Sequence, residues 1–321
     1  MRMPGRRVNA VQAATRPCRS VLTSPGMPPQ PQFLVGTASW TDPTLVKSDI
    51  FYPPSLKTAE DRLRFYASQF NTVEVDSTYY ALVSERNAEL WAERTPPGFV
   101  FNIKAFAMLT QHPVDTARLP IALKEILPAD EGGAARLRHP PRETLEMAFG
   151  MFWSALEPLR AAGKLGHLLF QFPPYFTARP SNLDYIGGLK ERMPGAAIAI
   201  EFRHNSWFEG AERAPTLRFL ERHGLTFVSI DTPPGTVESV FAVTGPEAYV
   251  RFHGRNRENW YKRGGGAAER FKYLYAEAEL APWAERLKSL TGVRRASVIF
   301  NNCYSNFGVM NAATMAQMLK R

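Results

Sequence analysis

The sequence predicts a single (β/α)8 TIM barrel, an α/β fold of one domain, behind a basic N-terminal extension. Three observations lead there. From residue 33 onward, strand-type and helix-type segments alternate eight times, which implies parallel strands joined by right-handed crossovers. No Gly-x-Gly-x-x-Gly loop follows any strand-type segment, so an open dinucleotide-binding sheet, which would share the alternation, lacks its phosphate loop. Strands two to eight all end in polar or charged residues, as expected of a barrel whose site lies at the C-terminal strand ends.

The elements follow in order. The first strand spans residues 33–40, and residues 56–70 then place Leu56, Ala59, Leu63, Tyr66, Ala67 and Phe70 at helical spacing. Strand two is 72–80, followed by a helix over 84–94 with Ser84 as its N-cap. Strand three is 99–107. Its connection includes an exposed loop over 128–142, marked by Pro128, Gly132, Gly133, Pro140 and Pro141, and then a helix over 145–162. Strands four (167–176) and five (198–207) precede helices at 183–193 and 216–223. Strand six is 226–233, and the connection near 236–241 is short and only weakly helical. Strand seven (249–256) leads through Gly264-Gly265-Gly266, read as a lid or hinge, into a helix over 271–290. Strand eight (297–302) and a helix over 311–319 complete the chain.

The composition is ordinary for a globular protein, with 45% hydrophobic and 21% charged residues. No apolar run reaches the roughly 18 residues of a membrane helix, which predicts a soluble protein without a membrane partner. The net charge is +9, but residues 1–32 hold Arg2, Arg6, Arg7, Arg16 and Arg19 and no acid. Removing those five leaves 34 basic against 30 acidic residues, or +4, too little to indicate nucleic acid by itself. Residues 1–32 read as a disordered basic extension, with Met27 as an alternative start to Met1. The only cysteines, Cys18 and Cys303, form no disulfide framework or metal spacing, which fits a reducing, cytoplasmic setting.

Side chains alternate between the two faces of a strand, which gathers a polar set. It comprises Glu74 and Asp76, Lys104, Gln171, Glu201 and Arg203, Asp231, Arg251 and His253, and Asn301 or Asn302. Barrel helices bury the outer face, so these groups should point inward, where a charge must be paired or bound to ligand. An ion-pair lattice plugging the barrel is the structural alternative. Trp40, Tyr79, Tyr80, Phe172, Tyr175, Trp207, Trp260 and Tyr261 surround the set, and such rings pack against the helices or stack on sugars and bases. Trp260 and Tyr261, beside Arg255, Asn256 and Arg257, are the foremost binding candidates among them. His112, His204 and His253 fall near strand ends, without i, i+4 spacing. No metal ligands are assigned, and a divalent metal remains the alternative to a cofactor-free site. No Gly-x-Ser-x-Gly elbow supports a serine triad.

These residues resemble a known family. Gly36-Thr-Ala-Ser-Trp40 with Phe51-Tyr-Pro53, Thr72-Val-Glu-Val-Asp-Ser-Thr-Tyr-Tyr80, Phe170-Gln-Phe-Pro-Pro174, Glu201-Phe-Arg-His-Asn-Ser-Trp207, Tyr249-Val-Arg-Phe-His-Gly254 with Trp260-Tyr261, and Phe300-Asn-Asn302 with Asn311-Ala312 are similar to motifs of the YecE-like, DUF72 family. The chain departs from the family pattern at Asn205 and Cys303, where Pro and His are usual. The resemblance implies a TIM barrel over residues 33–321 and leaves the reaction open.

The expected function is that of an enzyme, a hydrolase or isomerase without organic cofactor, acting on a small anionic or polyhydroxylated ligand. Glu74 or Glu201 would be the acid/base and His253 would transfer a proton. Trp40, Asp76, Lys104, Gln171, Arg203, Asp231, Arg251, Asn256, Trp260, Tyr261, Asn301 and Asn302 would bind substrate. Two alternatives stand beside it: a nucleic-acid binder or metal-dependent phosphodiesterase using Arg255, Arg257, Lys262 and Arg263, and a non-catalytic ligand-binding barrel.

Overall fold

The computed structural model describes residues 30–128, 135–262 and 267–321. The expected disorder of residues 1–29, the tip of the 128–142 loop and the expected hinge at Gly264-Gly265-Gly266 lie outside them. Eight parallel strands form the barrel wall: β1 (Gln32–Thr37), β2 (Thr72–Val75), β3 (Val100–Lys104), β6 (Leu165–Gln171), β7 (Ala197–Glu201), β8 (Thr226–Asp231), β9 (Glu247–Phe252) and β10 (Arg295–Phe300). Two short strands, β4 (Val114–Asp115) and β5 (Arg136–Leu137), pair antiparallel outside the wall. That pairing corrects the reading of 128–142 as wholly exposed loop, since Leu137 is buried. The hydrogen-bonded order runs β1, β10, β9, β8, β7, β6, β3, β2.

The ring closes where β1 meets β2, and side chains stitch the seam. The Asn71 amide donates to Phe33 O and accepts from Val35 N, both at 3.0 Å. The Tyr66 hydroxyl accepts from Thr37 N (2.8 Å) and donates to Thr72 O (3.2 Å). Beyond it, Ser39 turns its backbone to φ 85° and donates its N–H to Glu74 O at 2.8 Å. The approach is so close that a Cβ on Gly36 would lie 2.1 Å from Thr72 O, so only glycine fits there.

Alternation along each strand sorts the core into two layers. Outward residues such as Val73, Phe101, Phe170, Ile198, Phe252 and Phe300 join the large core under the helices. The inward apolar set is small: Ala38, Leu169, Ala199, Val228, Ile230, Tyr249 and Ile299. Helices Ala59–Gln69, Glu85–Glu93, Arg142–Ser154, Pro180–Gly187, Arg213–Arg222, Glu277–Lys288 and Phe307–Lys320 cover the wall. Ser84 caps its helix as expected, its side chain accepting from Asn87 N. No helix forms between β8 and β9. Residues 232–246 form an extended strap held by hydroxyls: Ser229 Oγ accepts from Ala242 N, Ser239 Oγ donates to Ile230 O, and Thr244 Oγ1 accepts from Phe227 N.

Candidate active site at the strand ends

The inward residues of the last strand turns are charged, and register brings them to one level. Gln171 is paired with Glu201 across β6 and β7, and Arg251 lies beside Ile230 and Ile299. Arg251 is completely buried and is the hub. It donates to Glu74 Oε1 at 2.6 Å, to Glu201 Oε2 at 2.5 Å and to Gln171 Oε1 at 3.2 Å. Tyr249 donates its hydroxyl to Glu74 Oε2 at 2.8 Å, and Arg203 Nε donates to Glu201 Oε1 at 2.5 Å. Two carboxylates and two guanidiniums thus cancel at the barrel centre, with charge-assisted hydrogen bonds offsetting much of their desolvation.

Electrostatics fix the protonation states in this lattice. Burial alone would raise the Glu201 carboxyl, but Arg203 and Arg251 hold it well below the usual carboxylate range. Burial, reinforced by the same two cations, pushes His253 well below the usual histidine value, so its ring is neutral. His253 Nε2 lies 2.9 Å from Arg203 Nη2 and 3.3 Å from Glu201 Oε1, and its Nδ1 lies 2.9 Å from the Asn301 amide nitrogen.

Above the lattice opens a cavity of about 660 Å³. Of the residues expected to bind substrate, Asp76, Lys104, Gln171, Arg203, Trp260, Tyr261 and Asn301 line it. Lys104 ends β3, its carbonyl fixed by the Thr78 hydroxyl at 2.6 Å. Its Nζ stands 4.5 Å over the Tyr79 ring and, among the described residues, meets no hydrogen-bond acceptor or carboxylate. Burial, together with the like charge of Arg251, pulls Lys104 down to about 8. Burial likewise raises Asp76 to about 6, against the pull of Lys104. His112, at the pocket wall, is lowered to about 4 by burial and by Lys104 and Arg203.

Other predicted site residues lie elsewhere. Glu74, Glu201, Arg251 and His253 are one layer beneath the floor and fully buried. Asp231 does not point inward: Ile230 takes the inner face, and Asp231 accepts from Tyr275, Trp283 and Arg255 beneath the helix layer. Arg255 is thereby committed to Asp231 and Glu279 and is not a free phosphate contact. Asn302 points outward to Asn311 and Tyr273 O, while its neighbour Asn301 takes the pocket. Trp40 packs among Trp91 and Phe101 in the outer core, with centroids 5.8 and 6.5 Å away. Asn256 caps the turn Arg257–Trp260 and ties it to Glu269 O and Lys272 O. Of that turn, Trp260 is buried edge-on to Phe271, whereas Tyr261 is 73% exposed.

The sequence reading missed Asp42, Thr236, Arg270 and Phe271, which also line the cavity. Asp42 carried a signal, an acid directly before Pro43, and it caps the short helix Pro43–Lys47. Arg270 lies on a four-residue helix too short to register as a pattern. Among the described residues no group of three or more His, Cys, Asp or Glu side chains could hold a metal ion, and no helix is long and apolar enough to cross a membrane.

Comparison with known proteins identifies relatives of this chain and of its fold. Protein YunF of Bacillus subtilis is 33% identical over 294 residues, 89% of this chain and 94% of its own length. Protein YecE of Escherichia coli is 27% identical over 202 residues, 62% of this chain and 59% of its own. The crystal structure of a DUF72 family protein from Thermotoga maritima superposes with a TM-score of 0.71 at 32% identity, covering 90% of this chain and all of that one. The family described as protein of unknown function DUF72 matches residues 34–321, and the chain belongs to that family.

Proposed function

We propose that the barrel is an enzyme acting on a small anionic, polar or polyhydroxylated ligand by acid/base chemistry, with the pocket-facing Asp76 and Lys104 as the titrating pair. One observation supports this most: the Lys104 ammonium faces the cavity with no ion-pair partner among the described residues. A half-buried cation held in that state is stabilised by an anion from solution. Asp76 at about 6 and Lys104 at about 8 both sit close to neutrality, where proton transfer in either direction is efficient. Glu74, Glu201 and His253, the acid/base residues the sequence suggests, serve in this reading as the rigid charged lattice beneath the floor that orients Arg203 and Asn301. A cytoplasmic hydrolase or isomerase without organic cofactor remains the expected class.

The test is thermal denaturation with inorganic phosphate, malonate and glycerol 3-phosphate. At least one should raise the Tm, and Lys104→Met should weaken that ligand at least tenfold, the loss of about one charged hydrogen bond. No shift with any small anion would remove the reading.

A second reading, binding of single-stranded nucleic acid, draws on Tyr80 and Tyr261, exposed at the cavity rim, and Tyr175 beside it. With Lys262 and Arg270 they offer stacking surfaces next to cations. It predicts a steep loss of oligonucleotide affinity with salt, whereas a salt-independent or undetectable interaction would exclude it.

A further inference from the structure

The barrel contains a more deeply buried lysine, and the contrast defines what is unusual about Lys104. Lys164 is held by three oxygens: Ala92 O and Thr95 O, each at 2.6 Å, and Thr95 Oγ1 at 3.0 Å. Its ammonium is solvated by protein, and its amine is inert. Lys104 has a tyrosine ring under its Nζ, guanidiniums on the floor beside it and open cavity in front. The charged amine is favoured only by the Tyr79 ring, by Asp76 and by lattice carboxylates already engaged with Arg251 and Arg203, and burial outweighs them. This is the environment that leaves a lysine neutral and nucleophilic. Around it, Arg203 directs Nε and Nη2 into the lattice but leaves Nη1 without an acceptor among the described residues. Asp76 lines the same cavity and feels the Lys104 charge.

We propose that Lys104 is a covalent nucleophile whose amine forms an imine with a small carbonyl compound bearing an anionic group, Arg203 Nη1 seating the anion and Asp76 acting as the proton shuttle. The proposal rests on the cavity being the enzyme's site. The Nζ lone pair attacks the carbonyl carbon, the carbonyl π pair moves to oxygen, and the Asp76 carboxyl protonates that oxygen. The Asp76 carboxylate then takes a proton from the tetrahedral nitrogen and delivers it to the hydroxyl. The hydroxyl leaves as water while the nitrogen lone pair closes the C=N bond. Amine, carbonyl and one proton give iminium and water, and no oxidant or reductant is consumed. With Lys104 at about 8, about a tenth of the amine is neutral at pH 7, against a few parts in ten thousand for an unshifted lysine.

The test uses the full chain with glyoxylate as the probe and sodium cyanoborohydride to trap imines, followed by peptide mapping. The expected product is a carboxymethyl adduct on Lys104, forming at least about tenfold faster than on the exposed Lys57 and Lys320, with a rate that rises through pH 8 rather than above pH 10. Asp76→Asn should slow trapping at Lys104 and leave Lys57 unchanged. Lys104→Arg should abolish the fast adduct, and the pH profile on the unaltered protein settles the matter should either variant fail to fold. Labelling of Lys104 no faster than of surface lysines overturns the nucleophile. If phosphate still raises the Tm of the unaltered protein in that case, the anion site stands and only the imine falls; loss of both results removes both readings.

Discussion

Arg251 sits where a polar core is least forgiving. Its charge is shared between two carboxylates and none of its surface reaches bulk solvent, so removing any one member leaves a buried charge unpaired. Arg251→Ala should therefore cost about 3 to 5 kcal/mol of stability, and Glu201→Gln somewhat less because its amide still hydrogen-bonds. Denaturant unfolding checks this, and a loss below about 1 kcal/mol for Arg251→Ala would show that the lattice is not the anchor described. Asp76 makes the opposite case. Its folded value, about 6, lies above the unfolded 3.8, so the fold favours the protonated form. That contribution is complete below pH 3.8 and is lost as pH rises through 6. Asp76→Asn abolishes this titration, and its Tm relative to the unaltered protein should climb by a few degrees between pH 4 and 7.5. A constant difference across that range would mean the carboxyl is not raised. Parity along the strands was enough to place Glu74, Lys104, Gln171, Glu201 and Arg251 inside the wall. Depth was not readable, because whether an inward residue is floor or lattice depends on the stagger between neighbouring strands, which no local pattern encodes.

Each strand was read too long at its C-terminal end, and the error has one cause. Residues 38–40 and 105–107 are as apolar as the strands they follow, and 76–80 and 202–207 carry the polar groups expected of strand ends, but all four segments leave the ladder for short loops and 3-10 turns. Period-2 patterning continues past the last ladder hydrogen bond, so composition does not mark the stop. Asp231 and Asn302 were misplaced by parity instead, each standing one residue past an inward neighbour, Ile230 and Asn301. The missing helix after β8 was visible as a weak pattern at 236–241, and the β4–β5 pair was not, since two-residue strands have no period. The seam between β1 and β2 gives a sharp prediction. Gly36→Ala drives a methyl into Thr72 O and should cost about 3 kcal/mol, the upper end for overpacking. Asn71→Ala leaves Val35 N–H and Phe33 O without their partner and should cost about 1 to 3 kcal/mol. Two near-neutral melts would show that β1 and β2 do not depend on these contacts.

At the scale of the whole molecule, charge is arranged by end. The N-terminal end holds its own ion group, Glu247 with His167, Arg294 and Arg295. Burial lowers His167 to about 4, keeping it neutral there. The C-terminal end holds the lattice and the open cavity, and the apolar layer of Leu169, Ala199, Val228 and Ile299 separates the two buried ion groups. The strap over residues 232–246 breaks the regularity on one side. A helix protects its amides through its own ladder, but this segment depends on a few borrowed hydroxyls and on Asn205, whose Oδ1 accepts from Glu238 N. Breathing of the native state should start there. Thr232, Thr236 and Val237 also form one wall of the cavity, so a molecule bound inside would quiet those fluctuations from within. Native-state hydrogen exchange should find amides of residues 235–242 opening far more often than those of Glu277–Lys288, and slowing when phosphate fills the barrel mouth. The thinnest part of the wall would then be the part through which occupancy of the interior is felt at the surface.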